Sequence, residues 1–398
     1  MPTPIGLDAL AIAVPEGYVE MGDLAAARGV APGKYIEGLG VSKMALAKPH
    51  EDPVVLAANA ARRLFQTSGA DPSKVGLCVV GTETGVDHSK PVAAYLHRLL
   101  GLPERCRVYE TKHACFGGTA GLLSAIEWIA SGAGRGRTAL IVCTDIARYT
   151  LGSPGEPTQG AGAVAMLVSE NPRLLELEPG MNGSYAKDVN DFWRPLYSKD
   201  AVVDGHHSVQ CYLDALQGAW NSFQQAVAEG GREELKQVAR RCYHVPYGKM
   251  AKKAHRHLMM LEGKTEAEAD DSYNVQVAPS LRIPSQVGNI YTGSLYLALA
   301  SLLDIEAQPL EGQRVGLFSY GSGCGAEYFV GKVVQGAGAF TRALKISEPL
   351  ENRRRYTIAE YEEIRRADND SDRKPVEQAP EAGVAFLGVQ DERRVYKS

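Results

Sequence analysis

The sequence predicts a mixed α/β protein built on a duplicated core, and three observations lead there. Short apolar runs rich in branched residues and bounded by glycine or charge read as buried strands: Val75 to Val80, Thr138 to Cys143 and Val315 to Tyr320. Stretches with helical spacing lie between such runs. Asp52 to Gln66 is one; Gly118 to Ala130 is another, with Leu122, Ala125, Ile126 and Ile129 on one face. One strand-plus-turn unit is echoed far along the chain. Val75 to Thr82 (VGLCVVGT) and Val315 to Ser322 (VGLFSYGS) agree at four positions, with Thr and Ser exchanged at the last.

At 398 residues the chain is too long for one ordinary core. Two halves are expected, residues 1–170 and 171–398. The stretch from about 180 to 240 has a different texture, with Trp193, Trp220 and two helical-looking segments, and reads as a capping insertion. From Glu351 the chain is highly charged. It reads as a helix, a polar loop and a short strand around Val384 to Val389, with Asp368 to Lys374 the expected place of local disorder.

The net charge of -4 gives no support for nucleic-acid binding, so any anion site must be a local basic cluster. Seven cysteines are dispersed, odd in number and without a C-x-x-C pair, which argues against a zinc site or a disulfide framework and for a reducing cytosol. No secretory signal and no apolar run of about 18 residues is visible, so neither export nor a membrane-spanning helix is expected.

Four stretches can carry chemistry. In Glu110 to Ala120 (ETKHACFGGTA), Cys115 stands just before a Gly-Gly-Thr that opens an apolar helix. A helix N-terminus favours a thiolate, and glycines let an acyl group approach the backbone; a buried structural cysteine before a tight turn fits the same residues. Glu83, in Gly81 to Asp87, follows a buried strand at the end where ligands bind in open α/β sheets. In an apolar pocket its carboxyl would work as both acid and base; a solvated loop glutamate is the plain alternative. In Tyr243 to His257, Pro246 fits the first turn of a helix whose Lys249, Lys252, Lys253 and Arg256 form a basic stripe. That stripe suits the phosphates of coenzyme A or a phosphopantetheine arm, or is simply a solvated face. His244, just before it, could donate to a thioester oxygen. Finally, Ser285 to Ser294 and Ser319 to Gly325 are polar, glycine-rich turns that present backbone N–H groups.

Taken together, these stretches resemble the 3-hydroxy-3-methylglutaryl-CoA synthases of the thiolase superfamily. Eight ordered motifs carry the resemblance: Gly33 to Gly40, Gly81 to Gly85, His113 to Ala120, Pro157 to Ala163, Val202 to Leu213, His244 to Lys249, Gly288 to Thr292 and Phe318 to Gly323. One departure is Phe116, where many members have tyrosine. The resemblance implies a homodimer of duplicated αβαβα, five-layer, thiolase-like subunits with capping insertions, working in the cytoplasm. It makes Cys115 the nucleophile acetylated by acetyl-CoA, Glu83 the general acid/base and His244 the group that polarises acetoacetyl-CoA. Lys34, Lys249 and Lys253 match positions near coenzyme A; Asn289 and Ser322 match positions around the thioester and the oxyanion. Asp145, Tyr149, Thr158, Asp191 and Tyr291 match positions lining the pocket. It implies coenzyme A thioesters as substrates, with no metal and no separate cofactor. A sister activity, on acetoacetyl groups held by an acyl carrier protein, shares the same cysteine, glutamate and histidine. The Gly33 and Val202 motifs favour the coenzyme A enzyme. Retaining all three groups together argues against a non-catalytic scaffold.

Overall fold

The computed structural model describes residues 3–368 and 383–398. A nine-stranded mixed sheet forms its frame. In chain order its strands are β1 (Ile5–Ala13), β2 (Val75–Gly81), β3 (Arg107–Thr111), β4 (Thr138–Ala147), β5 (Gly160–Glu170), β6 (Leu175–Ala186), β7 (Arg240–Tyr243), β8 (Arg314–Gly321) and β9 (Gly325–Val333). Their spatial order is β7-β8-β9-β6-β1-β5-β4-β2-β3, so the first five strands are contiguous and the last four follow as a second block. In each block the strand that enters first sits at the junction, β1 against β6.

The two blocks repeat one connectivity. β1, the helix α1 (Pro53–Ser68) and β2 correspond to β6, the helix α3 (Gly205–Glu229) and β7. The helix α2 (Gly117–Ala130) with β4 and β5 corresponds to the helix α5 (Ser294–Glu306) with β8 and β9. The duplication is therefore present, but the echo read from sequence aligns the wrong strands. β8 is the counterpart of β4, and β2 is the counterpart of β7. The shared VGL reflects the common demand of a buried strand, not descent from one position. The edge strand β3 has no second-block equivalent.

Layering follows from which side chains face which way. Along β1, Ile5, Leu7, Leu10 and Ile12 enter one core, while Ala9, Ala11 and Ala13 enter another. A bulge between Leu7 and Ala9 switches the parity. The alanine face meets Ala57, Ala58, Ala60 and Ala61 of α1, and small residues on both sides let helix and sheet approach closely. α1 starts where the side chain of Asp52 accepts from the Val55 N–H at 2.9 Å. α5 is buried on every side from Ser294 to Leu303, as a helix between two sheet halves must be. α2 lies beside it, and the Thr119 hydroxyl joins Tyr296 and Ser319 at 2.7 Å each. α3 covers the outer face of the second block. A Cβ on Gly183 of β6 would fall 2.2 Å from the Ala219 carbonyl oxygen, so only glycine allows that helix so near.

Two expectations are corrected here. Residues 180–240 are not a cap: β6 and α3 belong to the core layers, and α3 buries Leu216, Trp220 and Phe223. What stands outside the layers is the segment 187–203, with a ribbon pairing Phe192–Trp193 to Val202–Val203. At the C-terminus the expected single strand is a hairpin, Ala385–Gln390 with Arg393–Lys397. It is tied to the start of α1 through Tyr396 and Arg394, which donate to Asp52 at 2.6 and 2.9 Å. The expected disorder at 368–374 falls outside the described residues except Asp368, the last residue of the helix Ile358–Asp368.

Candidate active site

β2 ends at Gly81 and delivers Glu83 beside the turn that opens α2. A Cβ on Gly81 would lie 2.4 Å from the Gly118 nitrogen, so the strand end and the helix start touch backbone to backbone. From the second block, β8 ends at Gly321 against the same turn, 2.6 Å from the Phe116 nitrogen by the same measure. Cys115 sits in this turn, two residues before α2, behind Ala114 in a left-handed conformation at φ 41°. Its sulfur lies 3.5 Å from Glu83 Oε1, the thiol donating to the carboxylate.

The electrostatics differ from the helix-start expectation. Burial, then the negative charges of Glu83 and Asp145, push the Cys115 thiol well above its ordinary range. The helix start alone does not make a thiolate, so a base must take the proton. Burial and the Asp145 charge also push Glu83 up to about 7, where it can both accept and return a proton. The other six cysteines are buried, as expected of structural thiols.

Asp145 is placed behind the site rather than on a pocket wall, fully buried. It accepts from the hydroxyls of Thr82, Thr84 and Thr292 at 2.9, 2.8 and 2.6 Å, and from the N–H groups of Glu83, Thr84 and Thr292. It thus fastens the Glu83 loop to the turn before α5. Asp191 does similar work: it accepts from the Tyr320 hydroxyl at 2.5 Å and the Gly323 N–H at 3.0 Å, holding the turn that carries Ser322. Asn289 is buried, its side-chain oxygen accepting from Tyr291 N–H and the Ser294 hydroxyl at 2.9 and 2.8 Å.

His244 follows β7, and its N–H donates to the Phe318 carbonyl on β8 at 2.8 Å. Its ring is buried against Tyr212, whose hydroxyl donates to the His244 carbonyl at 2.8 Å. Burial lowers its pKa to about 3, so the imidazole is neutral and can donate a hydrogen bond without carrying charge. Tyr149 and Tyr291 flank Phe192 edge-on at 6.3 and 5.7 Å, forming an aromatic wall. Both phenols are held neutral, chiefly by burial. The Thr158 hydroxyl donates to the Gly155 carbonyl at 2.8 Å and lies near Tyr149.

The basic stripe divides on the helix α4 (Gly248–Leu261). Lys252 and Arg256 share an ion pair with Asp270 of the next helix, at 3.2 and 2.5 Å. Lys249 and Lys253 stay exposed, without an ion pair among the described residues. Pro246 lies just before α4, whose N-cap is Tyr247, rather than in its first turn. Lys34 is exposed on the helix Pro32–Leu39, whose terminal Gly40 packs on Gly248 at the start of α4. The three exposed lysines therefore stand on two abutting elements.

Sequence reasoning missed Arg194. Its guanidinium donates to the Glu83 backbone carbonyl and lies 3.3 Å from Glu83 Oε2. The one local signal was an arginine directly after the aromatic pair Phe192, Trp193.

Family models match the chain in sequence order. "Hydroxymethylglutaryl-coenzyme A synthase N terminal" covers residues 1–172, and the corresponding C-terminal model covers 175–270 and 259–382. A hydroxymethylglutaryl-CoA synthase of Enterococcus faecalis is 40% identical over 358 residues, 90% of each chain. The polyketide 3-hydroxy-3-methylglutaryl-ACP synthase PksG of Bacillus subtilis is 34% identical over 369 residues, 90% of this chain and 87% of that one. Among solved structures, MvaS in complex with 3-hydroxy-3-methylglutaryl coenzyme A superposes with a TM-score of 0.95 at 48% identity, over 100% of this chain and 99% of that one. With a cysteine, a carboxyl and a neutral histidine on one frame, and both family models matched in order over residues 1–382, the chain belongs to the hydroxymethylglutaryl-coenzyme A synthase family.

Proposed function

We propose that this enzyme condenses acetyl-CoA with acetoacetyl-CoA and water to 3-hydroxy-3-methylglutaryl-CoA and free CoA, with Cys115, Glu83 and His244 touching the reacting groups. The observation that carries the residue assignment is the 3.5 Å contact between the Cys115 sulfur and Glu83 Oε1. In the first step Cys115 attacks the acetyl thioester. The thiol proton leaves through Glu83 to the departing CoA sulfur, and an acetyl-cysteine remains. Glu83 then removes a proton from the acetyl methyl, and that carbon attacks the C3 ketone of acetoacetyl-CoA. The same carboxyl returns the proton to the new alkoxide. Water finally cleaves the thioester to Cys115, freeing a carboxylate and the thiol.

A neutral His244 donates one N–H to the acetoacetyl oxygen, where negative charge grows during attack. The backbone N–H groups of Cys115 and Ser322 are assigned to the oxyanion on the acetyl side. Asn289 supports the thioester region, and Lys34, Lys249 and Lys253 receive the CoA phosphates. Asp145 and Asp191 act by holding the loops. Thr158, Tyr149 and Tyr291 shape a wall that excludes water.

A division near residue 170 into a nucleophile-bearing half and a second half is supported by the family matches and by β6 starting at Leu175. The reading extends to a cytoplasmic homodimer serving mevalonate-type isoprenoid synthesis. The acceptor is free CoA rather than a carrier protein, in line with the higher identity to the Enterococcus enzyme than to PksG.

The test is product identification by mass after mixing acetyl-CoA with acetoacetyl groups on free CoA or on an acyl carrier protein. Fast condensation on CoA supports the reading; condensation on the carrier protein alone overturns the acceptor. Cys115→Ser should form no acetyl-enzyme. Glu83→Ala should be acetylated more slowly, because the same carboxyl relays the thiol proton, and should not condense once acetylated; normal condensation by it would refute the acid/base role.

A further inference from the structure

Glu83 stands between two partners, with its carboxylate oxygens divided between them. Oε1 faces the Cys115 sulfur, and Oε2 faces Arg194. Both side chains are well shielded, with Arg194 15% exposed and Glu83 6%. The same guanidinium nitrogen also donates to the Glu83 backbone carbonyl. One arginine therefore grips the main chain and the side chain of a single residue.

Arg194 is itself held in place from its N-terminal side. Asp191 is pinned by Tyr320 and Gly323, and Phe192 is wedged between Tyr149 and Tyr291. Beyond Arg194 the chain is released to solvent, with Leu196 88% and Tyr197 93% exposed. On its N-terminal side its position is thus fixed by anchors that belong to the site.

We propose that Arg194 is a positioning residue for the condensation step: it clamps Glu83 Oε2, so that Oε1 alone carries both proton transfers, and its charge holds the carboxylate ionised before the acetyl methyl is deprotonated. This rests on Glu83 being the acid/base. The titratable and charged groups facing Glu83 are Cys115 from the turn before α2, Asp145 from β4, Tyr149, Tyr291 and Arg194. Among these described residues Arg194 is the cation, opposing the burial and the Asp145 charge that push the carboxyl up. A clamped Oε2 also removes rotational freedom from the carboxylate, so the atom that takes the proton is the one that gives it back.

The experiment follows condensation of pre-acetylated enzyme with acetoacetyl-CoA in single turnover, from about pH 5 to about pH 9, in Arg194→Gln and Arg194→Lys. Arg194→Gln should still be acetylated at Cys115. It should condense about tenfold or more slowly at neutral pH, with the acid limb moved up by about one unit or more, because the ionised base has lost its cation. Arg194→Lys keeps the charge but not the planar fork, so its limb should stay near the native one while its rate falls between the other two. An unmoved limb in Arg194→Gln overturns the proposal. Should the Gln variant not fold, a native condensation rate in Arg194→Lys overturns the clamp. Glu83→Ala separates the two layers: normal condensation in it removes the acid/base reading itself, whereas a dead Glu83→Ala beside an unmoved Arg194→Gln limb refutes the role of Arg194 alone.

Discussion

The Thr292 hydroxyl donates to Asp145 at 2.6 Å, and this contact ties the turn before α5 to the loop that carries Glu83. Neither residue lies beside the other in sequence, and the two come from opposite blocks of the duplicated frame. Removing the acceptor with Asp145→Ala strands the donors of Thr82, Thr84 and Thr292 in a dry interior. Unfolding should become easier by about 2–5 kcal/mol, measured as a shift in urea midpoint. Asp145→Asn keeps part of the network while deleting a negative charge beside Glu83. The acid limb of condensation should then move to lower pH, opposite to the shift expected for Arg194→Gln. An unchanged midpoint in the alanine variant would show that the network is dispensable.

Gly321→Ala tests the approach of the two blocks at the nucleophile. The new Cβ would stand 2.6 Å from the Phe116 backbone nitrogen, and no flexible side chain can yield. The turn holding Cys115 must shift. Overpacking of this kind costs about 1–3 kcal/mol. Acetyl-enzyme formation should fall more than global stability does, when acetylation rate and melting temperature are read on the same sample. Native acetylation would mean that the turn absorbs the methyl group elsewhere.

Glu51 offers a pH test away from the chemistry. It is buried, its carboxylate accepts from the N–H groups of Glu16 and Lys48, and burial raises its pKa from 4.5 to about 7. Because the folded value lies above the unfolded one, this group's stabilising contribution is complete below about pH 4.5 and is lost as pH rises through about 7. The loss is about 3 kcal/mol at most. Denaturant midpoints at mildly acidic and mildly alkaline pH should therefore differ less in Glu51→Gln than in the native chain. Equal slopes in the two proteins would remove Glu51 from the account.

The split basic stripe predicts an asymmetry among four neighbours. Lys249→Ala and Lys253→Ala should each raise KM for a CoA substrate a few-fold, about 1 kcal/mol, and more at low salt. Lys252→Ala should leave KM near native, because that ammonium is already engaged by Asp270. A larger KM effect at Lys252 than at Lys249 would reverse the assignment of the phosphate-facing side.

The core strands were legible because burial on both sides leaves a dense apolar run between glycines, as at Val75 to Val80. Cys115 and Glu83, which the structure brings together, stood out because each lies in a compact motif near a strand end. Topological pairing was not, because β2 and β8 obey the same local rule without occupying equivalent places. The role of α3 was misread for a related reason: tryptophan and tyrosine look like a lid's cargo, yet Trp220 lies in the core. Arg194, and the pairing of Lys252 and Arg256 with Asp270, depend on partners far away in sequence or on the adjoining helix. A charge pattern along one segment does not disclose which cations are already neutralised.

The protonated state of Cys115 has a consequence for durability. Peroxide and alkylating agents act on thiolates, so a sulfur kept protonated by burial and by adjacent carboxylates presents little target between turnovers. In the proposed cycle Cys115 becomes reactive when acetyl-CoA fills the site and Glu83 relays the proton. Because that cycle passes through Cys115, its protonation at rest should slow oxidation relative to a standing thiolate.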